Sequence, residues 1–95
     1  MSLSPVAVQF GGNLRYCRRR ADLSQEELAH LASLHRTEIG LLERGARVAR
    51  IDTLVKLAGG LSIAPEELLT DIAWNPGSTQ LGSFVLSDLQ EAPEF

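Results

Sequence analysis

Apolar residues recur at spacings of three and four near the start of the chain: Val6, Phe10, Leu14, then Cys17 or Arg18. That period predicts a helix over Val6–Ala21 with one buried stripe, after a loose start at residues 1–5. Gly11 and Gly12 fall inside it and weaken its first half by about 1 kcal/mol each relative to alanine. Asp22-Leu23 interrupts the period, and Ser24-Gln25-Glu26-Glu27 then reads as a capping box. The Ser24 hydroxyl is placed to accept from the Glu27 amide, and the Glu27 carboxylate to accept from the Ser24 amide. A second helix follows through Ala32, with Leu28, Ala29 and either Leu31 or Ala32 inward.

Ser33-Leu34 is too short a break for a gentle bend, so the next helix crosses the second sharply. It runs from Arg36 to Arg44 with Ile39 and Leu42 inward, and Gly45 closes it. After a basic loop at 46–50, a fourth helix covers Asp52–Leu61 and buries Leu54, Leu57, Ala58 and Leu61. Pro65 suits a first helical position, and Glu66 and Glu67 suit the positive end of a helix dipole, so a fifth helix is expected to reach Ala73 or Trp74. Asn75-Pro76-Gly77-Ser78 is a turn. Ser83–Leu86 has the character of a strand. A lone strand in a helical chain must pair across a dimer, pack irregularly or stay mobile. Residues 87–95 are acidic and expected to fray. The fold class predicted is all-α: five helices and a short C-terminal extension. The domain spans 6–74, and the extension 75–95 carries a candidate dimerisation strand and the acidic tail.

At 95 residues the chain has room for one modest core. It has no run of about 18 apolar residues and no signal-like start over Met1–Gln9, so neither a membrane span nor secretion is expected. The single cysteine, Cys17, excludes an intrachain disulfide, which fits a cytoplasmic protein. A net charge of −3 argues at first against nucleic acid. Its distribution argues the other way. Residues 14–50 carry eight arginines against five acidic residues, whereas residues 51–95 carry Lys56 against seven. Arginine grips both phosphate and guanine bidentately.

Enzymatic readings fail. Cys17, His30 and His35 lack metal-ligand spacing, and Gly11-Gly12 lacks the lysine of a phosphate-binding loop. His30 reads as a surface residue, and Cys17 as core packing rather than a redox sensor. No cofactor, metal or small-molecule ligand is expected. What remains is a pair of short helices across a tight turn, the second with Arg36 and Thr37 in its first turn and apolar residues only on its far face. That arrangement places a helix N-terminus in the major groove of duplex DNA.

The block Leu23-Ser24-Gln25-Glu26-Glu27-Leu28-Ala29, followed by Ile39-Gly40-Leu41-Leu42-Glu43-Arg44-Gly45, resembles the Cro/repressor-type helix-turn-helix family. The resemblance continues through Asp52-Thr53-Leu54-Val55-Lys56-Leu57-Ala58 to Pro65-Glu66-Glu67-Leu68-Leu69 and covers about residues 10–70. It implies a lambda-repressor-like domain that binds double-stranded DNA as a homodimer and regulates transcription, as a repressor in the first reading, with activation equally compatible. Gln25 matches the family glutamine that holds a phosphate and braces the recognition helix. Arg36 and Thr37 match base-reading positions, with phosphate contact alone as the alternative. Gly40 and Leu41 are expected outward, Leu41 toward a thymine methyl or a dimer contact. His35 is expected to cap the helix or touch phosphate. Arg44 and Arg47 are the favoured phosphate contacts among the remaining arginines. Arg18 and Glu43 match a pair that the family buries as a structural salt bridge. The chain departs from the pattern at Ser33-Leu34, where glycine usually leads the turn, at Arg50, where proline is common, and at Gly59-Gly60. Two other readings stay open: a restriction-modification controller or antitoxin of the same fold, and a protein-interaction adaptor without DNA affinity.

Overall fold

The computed structural model describes residues 4–77 and 81–86. Four helices form where the apolar period predicts them: α1 (Pro5–Arg20), α2 (Gln25–Ala32), α3 (Arg36–Glu43) and α4 (Ile51–Leu61). The start is tighter than expected, because the Ser4 hydroxyl accepts from the Ala7 amide and Pro5 takes the first helical position. The capping box at α2 forms in both directions: Glu27 N donates to Ser24 Oγ at 3.0 Å, and Ser24 N to Glu27 Oε1 at 2.8 Å. Leu14, Leu28, Ile39, Leu42, Leu57 and Leu68 are fully buried in one core, each contributing about 2 kcal/mol of apolar transfer. Ala32 takes the inward position at the end of α2, and Leu31 is exposed.

The turn between α2 and α3 is reached without glycine. Ser33 itself adopts the left-handed conformation, φ 56° and ψ 47°, which costs an L-residue about 1–2 kcal/mol. Its amide and that of Leu34 then cap the His30 and Ala29 carbonyls.

Gly11 has a purpose that its low helix propensity conceals. A methyl group there would lie 2.3 Å from the Leu42 carbonyl oxygen and 2.7 Å from that of Glu43. The glycine lets α1 pass directly over the end of α3. Gly45, at φ 72°, also sits close to Val8, whose Cα would lie 2.9 Å from an added methyl group. These two positions set how deeply α3 is seated against α1.

The C-terminal part differs from the expected fifth helix. Only a 3-10 helix forms, over Pro65–Leu69, and the chain then turns extended at Thr70 and left-handed at Asp71. The cause lies on α1. The Asn13 carboxamide donates to the Leu68 and Thr70 carbonyls, at 3.0 and 2.9 Å, and so takes oxygens that a continuing α-helix would use. Asn13 is itself buried and accepts from Gln9 Nε2 at 3.1 Å. Beyond Asp71 the chain forms strand β1 (Ile72–Asn75), which pairs antiparallel with β2 (Ser83–Leu86). The fold is therefore mostly helical with a small hairpin, and the strand at 83–86 finds its partner in its own chain. The partner was hidden because Ile72-Ala73-Trp74 reads equally well as the end of a helix. An Asx contact, Gly77 N to Asn75 Oδ1 at 3.2 Å, starts the connection. Trp74 and Phe84 face each other edge to face across the pair, with centroids 5.1 Å apart. The expected fraying of residues 87–95 lies outside the described residues.

Candidate nucleic-acid interface

The geometry of α3 follows from its sequence. Ile39 and Leu42 are buried, which turns His35, Arg36 and Thr37 at its start to solvent, and all three are exposed. His35 occupies the N-cap position, but its side chain makes no capping hydrogen bond. The first-turn amides of α3 are left without a side-chain acceptor, beside an exposed guanidinium and hydroxyl. Such a helix start attracts an anion through its free N–H groups and its dipole.

One turn further along, three expected site residues converge. Gly40 is buried rather than outward, because the Arg44 side chain lies across it. A methyl group at Gly40 would stand 3.1 Å from Arg44 Nη1 and 3.9 Å from Gln25 Oε1. The start of α2 and the end of α3 thus present an amide and a guanidinium side by side over a bare stretch of backbone. Leu41 is half-buried. Arg44 is exposed, as is Arg47 in the loop after α3. Arg50 turns instead to Asp52, 3.3 Å away on the surface, a contact of little energetic weight.

Beneath this face lies the internal pair. Arg18 Nε meets Glu43 Oε2 at 2.5 Å and Nη2 meets Oε1 at 3.1 Å, a bidentate contact from α1 to the end of α3. Arg18 Nη1 also donates to the Leu23 carbonyl at 2.8 Å, which fixes the α1–α2 connection. Glu43 Oε1 accepts a further hydrogen bond from Gln25 Nε2 at 3.0 Å. One buried carboxylate therefore gathers α1, α2 and α3, and it orients the glutamine that stands at the surface. The sequence identifies Arg18, Glu43 and Gln25 separately. Their union in one network is new, as is the Gln9–Asn13 pair, whose only sequence signal is two amides four apart in the apolar first half of α1.

Cys17 is half-buried against the core. Burial pushes its thiol up, the Glu67 carboxylate adds to this, and Arg20 opposes it. A thiol so held stays protonated and unreactive at neutral pH. Among the described residues, no cluster of three or more His, Cys, Asp or Glu could hold a metal ion. No helix there is long and apolar enough to cross a membrane.

Comparison with known proteins agrees with this geometry. A helix-turn-helix family profile matches residues 14–68. Over 65 residues the chain is 37% identical to the control protein C.BamHI of Bacillus amyloliquefaciens, covering 67% of this chain and 80% of that protein. Over 58 residues it is 45% identical to the control protein C.SmaI of Serratia marcescens, covering 61% and 69%. Among solved structures, the restriction-modification controller protein C.AhdI from Aeromonas hydrophila superposes with a TM-score of 0.64 at 45% identity, over 65% of this chain and 94% of that one.

Proposed function

The chain belongs to the Cro/repressor-type helix-turn-helix family of DNA-binding transcription regulators, and we propose that it is a controller protein that binds operator DNA as a homodimer. The observation that carries this reading is the surface of α3: Arg36 and Thr37 exposed at an uncapped helix start, with Gln25 and Arg44 side by side one turn away. Likeness to two control proteins and to one restriction-modification controller favours that role over a general repressor or an antitoxin. An adaptor would have no use for an arginine-rich recognition surface.

In this mechanism the start of α3 enters the major groove. Arg36 pairs with guanine O6 and N7, and Thr37 meets a thymine methyl or accepts from a base. Gln25, Arg44 and Arg47 hold the flanking phosphates, and His35 adds to them. These contacts set register without reading sequence. Two copies related by a two-fold axis place their α3 helices about 34 Å apart, on successive major grooves of one DNA face.

Titration of variants against a selected operator and a scrambled duplex tests the assignment. Arg36→Ala is expected to weaken operator binding by about 1–3 kcal/mol and to relax preference at one or two base pairs. Gln25→Ala is expected to weaken both duplexes by a similar factor. Equal losses on both duplexes for Arg36→Ala would make Arg36 a phosphate contact.

A further inference from the structure

Two successive helices carry a glutamate at the same position and use it differently. Glu27 is the third residue of α2, and its carboxylate accepts from the Ser24 amide at 2.8 Å. Glu38 is the third residue of α3, after His35 at the N-cap, and closes no such box. Among the described residues the Glu38 carboxylate has neither a hydrogen-bond partner nor an ion pair. The reason lies in the local sequence. Side chains on a helix meet partners three or four positions away, and those ahead of Glu38 are Leu41 and Leu42. Arg36, two positions back, stands on another side of the helix.

Helix geometry places this carboxylate among the groups that face DNA. Each residue turns the helix by about 100°. Thr37 therefore stands opposite the buried Ile39 and Leu42, with Arg36 on one flank and Glu38 on the other. Arg36 shares its flank with Glu43, two turns on, which holds Gln25. Glu38 is half-buried on the opposite flank. An unpaired carboxylate in the first turn of the recognition helix is repelled by the phosphates that line a groove, unless a base supplies it with a donor. We infer that Glu38 selects a cytosine in the operator by accepting a hydrogen bond from the cytosine N4 amino group. An ionised carboxylate only accepts. In the major groove guanine presents two acceptors, and thymine an acceptor and a methyl group, so neither suits it. Adenine presents its N6 amino group beside the N7 acceptor, which sets a repulsion against the gain. Cytosine alone presents an amino group with no acceptor next to it. At any other base the carboxylate is desolvated without a partner, which penalises the complex.

The inference rests on the DNA-binding reading, and the test separates the two. Binding sites are selected from a randomised duplex library with the wild type, Glu38→Gln and Glu38→Ala, and single-base variants of each winning site are then titrated. Glu38→Gln keeps the size of the side chain and replaces the carboxylate by an amide, whose acceptor and donor together match adenine N6 and N7. The wild type is expected to prefer cytosine at one position by about tenfold. Glu38→Gln is expected to move that preference to adenine, and Glu38→Ala to lose it, with the other positions unchanged. A glutamate that served only the helix dipole would affect stability and leave base preference alone. Identical preferences in all three proteins, or a change at a base other than cytosine, would therefore overturn the assignment while leaving DNA binding intact. A wild type that selects no sequence would overturn both.

Discussion

Glu43→Ala is expected to destabilise the protein by about 3–5 kcal/mol, the cost of leaving a buried charge without its partner. The substitution strips Arg18 of both carboxylate contacts and leaves it only the Leu23 carbonyl. The Glu43 side chain is 3% exposed and that of Arg18 11%, so water does not replace what is lost. In a domain whose whole stability is of order 5–15 kcal/mol, that is a large fraction. The double variant Arg18→Met with Glu43→Leu is expected to recover much of the loss, because it removes both charges and keeps apolar volume. Urea unfolding of the wild type and both variants measures this. A Glu43→Ala protein as stable as wild type would mean that the pair has no structural weight. The carboxylate's third contact makes a separate demand. The double variant also deprives Gln25 of its acceptor, so it is expected to fold well and still bind DNA less tightly.

Gly11→Ala is expected to destabilise by about 3 kcal/mol, at the upper end of the cost of overpacking. Two effects oppose each other here. Alanine favours the helix by about 1 kcal/mol over glycine. The added methyl group, however, would lie 2.3 Å from one backbone oxygen and 2.7 Å from another, and neither can rotate away as a side chain would. The steric effect wins, and α3 must shift on α1. Gly59 provides the contrast within the same molecule. It lies in α4 with nothing within 4 Å of an added methyl group, so Gly59→Ala is expected to stabilise by about 1 kcal/mol. Thermal or urea unfolding of the pair gives opposite signs if the account holds. A neutral Gly11→Ala would show that the α1–α3 crossing is looser than the structure has it.

The four helices were legible from local signals: an apolar period of three to four, a serine cap before α2, and glycine after α3, whereas the Ser4 cap of α1 was missed. The exposure of Arg36 and Thr37 was legible for the same reason, since burying Ile39 and Leu42 dictates what faces out. Three things were not legible. Gly11 looked like a weak point because propensity records only the helix it sits in, and the backbone that approaches it comes from residues 42 and 43. Gly40 looked exposed because nothing in its neighbours says that Arg44 folds back over it. The fifth helix looked sound from Pro65, Glu66 and Glu67, but Asn13, more than fifty residues earlier, captures its carbonyls and diverts the chain into β1. Gly11 and the fifth helix depend on contacts distant in sequence, and Gly40 on the direction that the Arg44 side chain takes. Local pattern is silent about such contacts, and the lone strand at 83–86 lacked a partner for the same reason.

The salt dependence of duplex binding tests the central claim most directly. A dimer that holds phosphates through Arg44 and Arg47 on each subunit neutralises at least four of them, while the uncharged Gln25 releases no counterion. Its affinity for a selected operator is expected to fall by about a hundred-fold or more between roughly 50 and 200 mM salt. At a fixed salt concentration that operator is expected to bind about a thousand-fold or more tighter than a scrambled duplex. Binding that is absent, or that is indifferent to both salt and sequence, would contradict the account and leave a helix-turn-helix fold serving some other partner.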